Sequence, residues 1–164
     1  MWLLLHTAGY SEAEILSVCE RRIDRSILVD AFCITYDCTR KYHGIWHQEK
    51  KNLIPEYVIL ESHAPEALYQ EIKRQPELEH QKLLPVNQET EAFLKRLGGA
   101  TKHLTMSEGV IRDGVTHISK GPLQGSEKFI VRIDRHKRIA FLGDETFPKN
   151  LYMKTGLEIR EKSL

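Results

Sequence analysis

Gly98-Gly99-Ala100-Thr101-Lys102 divides this 164-residue chain into two stretches of different patterning. After it come only short apolar runs separated by Gly, Pro and Asp: Val110-Ile111, Val115–Ile118, Phe129–Ile133, Ile139–Leu142 and Leu157–Ile159. Short strands at such even spacing suggest a small barrel or sandwich, and the segment is long enough for a five-stranded barrel and little else. Before the glycines, candidate helices and strands alternate. The expected class is therefore α+β: a mixed domain over residues 1–97, a linker over 98–108 and an all-β domain over 109–164.

Working back from Gly98, Asn87 followed by Glu89–Leu97 reads as a helix stopped by the glycine pair. Leu83-Leu84-Pro85-Val86 reads as a short edge strand. Pro65 suits a first helical turn and opens a helix through Glu66–Gln75. Leu53–Leu60 reads as a buried strand with Pro55 near its start, where a missing N–H is tolerable. Residues 28–41, with Val29, Phe32, Ile34 and Tyr36, suggest a further strand, and His43-Gly44 marks a turn. These strands predict a long hairpin with a basic tip (Arg40, Lys41, His43, Lys50, Lys51) and one exposed aromatic, Trp46. At the start, Trp2–His6 is a strand. Ser11-Glu12-Ala13-Glu14 is a capping box opening a helix at about 11–24, with Ala13, Leu16, Val18 and Cys19 at helical spacing.

Apolar residues make up 41% and charged residues 29%, a mixture that excludes wholesale disorder, and the length excludes a large multidomain enzyme. No window approaches the ~20 apolar residues of a membrane span, and the N-terminus carries neither a basic leader nor a long apolar run. A soluble, cytoplasmic chain is expected. Cys19, Cys33 and Cys38 are odd in number and form no C-x2-C pair, which argues against a disulfide framework. Cys33, Cys38, His43 and His47 lack the tight spacing of a structural zinc site, and partly buried thiols with surface histidines are the plainer reading. No metal or cofactor is expected. Phosphate-loop, dinucleotide, zincin and nucleophile-elbow motifs are all missing, and no neighbouring motif supports a Cys33–His43 dyad. The chain reads as a binding protein, not an enzyme.

Net charge is +1, but it is unevenly spread. Residues 1–97 hold 12 Lys and Arg against 15 Asp and Glu, whereas residues 98–164 hold 12 against 8. Much of the later excess lies in Lys128, Arg132, Arg135, Lys137 and Arg138, opposed only by Asp134. Arg135-His136-Lys137-Arg138 sits between two apolar runs, where a hairpin turn belongs. Such a tip is either a solvated turn or a site that attracts phosphate and stacks on unpaired bases.

Several segments, in order, resemble the NusG family of transcription elongation factors over nearly the whole chain. Trp2-Leu3-Leu4-Leu5 is similar to that family's opening W-Y-V-L strand, and Leu53-Ile54-Pro55-Glu56-Tyr57-Val58 to its F-P-G-Y-V segment. Leu84-Pro85-Val86 and the acidic helix after it resemble the end of the N-terminal domain. Gly114-Val115, Ile118 and Gly121-Pro122-Leu123 resemble the KOW motif that opens the C-terminal barrel. Gly44-x-Trp46-His47 and the Arg135–Arg138 tip are most similar to the specialised LoaP-type antiterminators. The implied fold is a NusG-type α/β sandwich followed by a small SH3-like KOW barrel.

The resemblance implies a monomer that docks on the clamp of RNA polymerase, with Ile54, Pro55, Tyr57 and His6 walling an apolar pocket. Without the resemblance, Ile54 and Tyr57 read as ordinary sheet core. It further implies that Tyr69 and Gln70 meet the polymerase's opposite jaw, holding the clamp closed against pausing and termination. Arg40, Lys41, Lys50 and Lys51 would touch non-template DNA or sit in a solvated loop. Lys120, Lys128, Arg132, Arg135, His136, Lys137 and Arg138 would contact a leader RNA hairpin at selected operons. The alternative is a general factor whose KOW domain binds a ribosomal or termination protein. The chain departs from the family pattern at Ile54 for Phe, Lys128 for a KOW Gly and Phe147-Pro148 for a late F-G pair. Glu56 replaces a Gly between Pro55 and Tyr57, so that strand entry is expected not to demand positive φ.

Overall fold

The computed structural model describes residues 1–143 and 152–163. Phe147-Pro148 lies outside them. In chain order the elements are β1 (Trp2–His6), α1 (Glu12–Arg22), β2 (Asp30–Phe32), β3 (Thr35–Tyr42), β4 (Ile45–Asn52), β5 (Tyr57–Glu61), α2 (Pro65–Arg74) and β6 (Leu83–Pro85). There follow α3 (Gln88–Gly98), β7 (His103–Leu104), β8 (Ser107–Arg112), β9 (Val115–Lys120), a 3-10 turn (Glu127–Phe129), β10 (Ile130–Asp134), β11 (Ile139–Leu142) and β12 (Met153–Ser163). The described residues thus form a mixed α/β structure with three helices and three mostly antiparallel sheets.

The chain divides into two compact units, one of Met1–Cys33 with Ile54–Ala92, the other of Ile34–Leu53 with Phe93–Leu164. The second unit takes in the β3–β4 hairpin and most of the C-terminal part of α3 as well as the segment expected to be all-β.

In the first unit a four-stranded sheet has the order β2-β5-β1-β6. Leu3 and Leu5 of β1 face the same way as Leu60 and Val58 of β5, their register partners. Against them pack Ile15, Val18 and Cys19 of α1 and Leu68 and Ile72 of α2. Each such side chain withdrawn from water contributes roughly 1.5–3 kcal/mol, so this layer holds the unit together. The Ser11 hydroxyl accepts a hydrogen bond from the Glu14 N–H at 3.1 Å, starting α1 as the capping box requires. The buried stripe of α1 is centred on Ile15, however; Ala13 is exposed and Leu16 half-buried.

In the second unit the five apolar runs after Gly99 each contribute to a sheet of order β10-β11-β12-β8-β9, with Phe129 held in the 3-10 turn. Asp113 and Gly114 take positive φ (51° and 77°) in the two-residue loop that pairs Arg112 with Val115, the backbone hand that suits strand twist. Gly121 has φ 103°, and a Cβ there would come within 2.6 Å of the Ser107 Cα, while the Ser107 hydroxyl accepts from the Leu123 N–H. Only glycine fits that corner.

The expected long hairpin is corrected. Residues 45–52, read as a polar tip, are a full strand that pairs β3 from Tyr42↔Ile45 to Thr35↔Asn52. Tyr57–Glu61 pairs instead with β1 and β2. The single strand expected over 28–41 is two, in different sheets, because Ala31 and Phe32 are both buried before alternation resumes at Ile34, Tyr36 and Cys38. His43 and Gly44 do form the turn, both at positive φ. Glu56 also has positive φ, 69°, contrary to expectation. Its carbonyl accepts from the Thr7 N–H at 2.9 Å, and this bond fixes the strand entry whatever residue occupies it.

Candidate functional site

Two local features seat the β3–β4 hairpin within its unit. Gly156 of β12 lies so close to Met106 Sδ and the Asp37 carbonyl that a side chain there would collide with both. On the other edge, His103 of β7 reaches Asp37 Oδ1 through Nε2 at 2.9 Å and Thr35 Oγ1 through Nδ1 at 2.7 Å. The hairpin is thereby held on both sides, and its tip meets the β10–β11 turn.

At that meeting the Arg138 guanidinium carbon lies 3.8 Å from the centre of the Trp46 ring. Trp46 is half-buried, not the exposed aromatic expected. Arg138 takes φ 57° and lies 3.8 Å from Glu158, so turn backbone, indole and carboxylate all constrain it. Next to the indole is a hollow of about 470 Å³. Its floor is apolar, from Tyr36, Cys38 and Ile139, and its walls carry Arg40, Lys41, Lys51, Lys137, Lys154 and His136. Among the described residues no carboxylate lines it. Acids lie just outside it: Glu49 is 3.6 Å from Lys51, and the charge of Asp37 reaches Cys38. Cations gathered around one space repel each other unless an anion enters, so the hollow is built to take negative charge.

Of the remaining basic residues of the second unit, Arg132 and Arg135 line a separate concavity with His136 and Asp134. Arg135 is exposed in the turn, and the Lys137 N–H donates to the Asp134 carboxylate at 3.0 Å. Arg132 packs 4.1 Å from the Phe141 ring centre and Lys128 5.0 Å from that of Phe129. Lys120 is 3.8 Å from Glu108, whose carboxyl is held below its ordinary range by the Arg160 hydrogen bond first and by the charge of Lys120 as well. Arg40, Lys41, His136, Lys137 and Arg138 are brought together; Lys120, Lys128 and Arg132 are not members of that hollow.

In the first unit, His6 and Tyr57 are register partners with ring centres 5.0 Å apart, and His6 Nε2 is 3.7 Å from Glu56. Pro55 is exposed beside them, whereas Ile54 is 2% exposed and belongs to the core. Ile54 is therefore corrected from pocket wall to packing residue. Tyr69 and Gln70 lie elsewhere, in a groove of about 390 Å³ with Met1, Leu3, Leu83 and Pro85, toward the opposite end of β1 from His6. Tyr69 is 49% exposed there.

The thiols are shielded. Burial first, and then Glu20, push Cys19 up to about 12; burial and Glu12 do the same for Cys33, which donates to the Tyr57 carbonyl. Burial also raises Cys38. Such thiols stay protonated at neutral pH and are poor nucleophiles.

Trp46 and Lys154 complete the hollow but were not singled out as binding residues from sequence, whereas Lys51, also in its lining, was expected with the basic hairpin tip. Gly44-x-Trp46 was the available signal for the first. A lone lysine within a strand, as at Lys154, offers none.

Compared with protein-family models the chain matches none, and no curated protein matches it significantly.

Proposed function

We propose that this chain is a transcription elongation and antitermination factor of the NusG type, most similar to the LoaP-type factors. In this reading the first unit binds RNA polymerase, with His6, Pro55 and Tyr57 as the clamp contact and Tyr69 with Gln70 as a second contact. The second unit contacts leader RNA and so selects the operons at which pausing and termination are suppressed. The finer fold that goes with it is a NusG-type sandwich and an SH3-like KOW barrel. The five-stranded order and the Gly121-Pro122-Leu123 corner support that assignment.

The observation that carries the reading is the cationic hollow beside Trp46, which no carboxylate among the described residues lines. Phosphate is the anion that repeats along a nucleic acid, and aromatic rings next to cations suit bases that have left a duplex. A partner that binds only the closed polymerase clamp would shift its population toward closure.

The test is transcription in vitro through a terminator, with the full chain and leaders of different structure. Readthrough on particular leaders, lost with Tyr57→Ala and made indiscriminate or lost with Arg135→Ala/Lys137→Ala, is the expected result. Equal termination with and without the protein on every leader would defeat the proposal. A protein partner for the second unit is the second reading, favoured by exposed Val131 (66%) and Tyr152 (58%). It predicts a stable complex with a ribosomal or termination protein and no leader preference.

A further inference from the structure

The hollow has features that a plain phosphate-binding surface does not need. Its volume, about 470 Å³, falls within the ~300–1,000 Å³ of sites that enclose a small molecule. It has an apolar floor, and one wall is an indole ring. Arg138 packs on Trp46 but does not line the hollow, whereas Lys41, which does, holds its ammonium at the greater distance of 5.9 Å from the ring centre. Lysines and arginines stand on both the hairpin side (Arg40, Lys41, Lys51) and the opposite side (Lys137, Lys154).

Resting on the RNA-contact reading above, we infer that this hollow holds a single unpaired RNA nucleotide, its base stacked against Trp46 and its flanking phosphates met by cations from the two sides. An unpaired base brings a flat apolar face, which matches the indole and floor. Its two flanking phosphates bring negative charge to the cations of the walls. A fully paired helix keeps its bases stacked inside and cannot offer one to a recess. The recognised RNA is therefore a hairpin with a bulged or looped-out nucleotide beside its stem. Specificity comes from the presence of that nucleotide as well as from the phosphates, which position without specifying.

The test uses the full chain and two RNA hairpins that differ only by one bulged nucleotide, with binding followed by anisotropy at physiological salt. The bulged RNA should bind about tenfold more tightly, since stacking one base on an aromatic ring is worth that order. Trp46→Ala should erase the difference, and Trp46→Phe should keep most of it. Intrinsic fluorescence gives a readout independent of any variant's folding. Trp2 is 4% exposed, so a change on adding bulged RNA but not paired RNA reports Trp46.

Equal affinity for bulged and paired RNA, with binding still weakened by Arg135→Ala/Lys137→Ala, would overturn the inference and leave the RNA-contact reading standing. Equal preference for a bulged DNA hairpin would overturn the assignment to RNA. No binding to any RNA would overturn both.

Discussion

The Arg138 guanidinium stacks on the Trp46 indole with 3.8 Å between the guanidinium carbon and the ring centre, joining the β10–β11 turn to the β3–β4 hairpin. A half-buried cation–π contact of this kind contributes about 1 kcal/mol. Arg138→Ala should lower the denaturation midpoint accordingly and shift the Trp46 emission to the red. Arg138 also sits at φ 57°, so Arg138→Gly loses the stack but relieves the backbone and should be less destabilised than the alanine variant. Urea titrations followed by tryptophan fluorescence give both numbers. Equal midpoints for wild type and Arg138→Ala would show the contact to be energetically idle.

Glu56 pays a left-handed backbone penalty that glycine would not. Its carboxylate is near His6 at 3.7 Å but largely exposed, where an ion pair adds little. Glu56→Gly should therefore raise stability by about 0.5–1 kcal/mol after allowing for glycine's greater freedom when unfolded. Glu56→Ala keeps the penalty and should not stabilise. Thermal unfolding of the three proteins measures the ordering, and a destabilised glycine variant would contradict it.

Gly121→Ala meets two obstacles at once, a φ of 103° and a Cβ within 2.6 Å of the Ser107 Cα. The obstructing atom is backbone, so the corner must open and the Leu123 N–H bond to Ser107 with it. The loss should be about 3 kcal/mol or more. Amide hydrogen exchange should find it concentrated in β8, β9 and the 3-10 turn. Unchanged protection there would mean that the corner absorbs a methyl group.

Cys19 carries a pH dependence of defined sign. Its folded thiol is pushed from 9.0 up to about 12, chiefly by burial, so between these values the folded chain keeps a proton that the unfolded chain releases. Stability from this group is complete below pH 9 and declines as pH rises, by at most about 1.4 kcal/mol per pH unit. Cys19→Ala, compared with wild type in urea at pH 8 and at pH 10, should flatten the decline. Thiol labelling of the folded protein at pH 8 should also leave Cys19 largely unmodified. Rapid labelling would show the thiol to be accessible.

Local chemistry was legible in the sequence wherever neighbouring residues alone decide the backbone. Ser11 and Glu14 started α1, Pro65 opened α2, Gly98-Gly99 ended α3 and His43-Gly44 made a turn, because caps, ring constraints and positive φ act within a few residues. Apolar runs separated by turn residues likewise marked the five strands after Gly99. Tertiary structure decided the rest. Strand β4 is polar after Ile45 and Trp46 and has no buried residue; its backbone is recruited by β3, so pairing, not side-chain burial, makes it a strand. Glu56 adopts a glycine-like φ because a hydrogen bond to Thr7 demands it. The hollow beside Trp46 draws its walls from β3, β4, the β10–β11 turn and β12, segments remote in sequence. Composition located the positive charge, but only the pairing and close packing of those strands turned it into one concave surface.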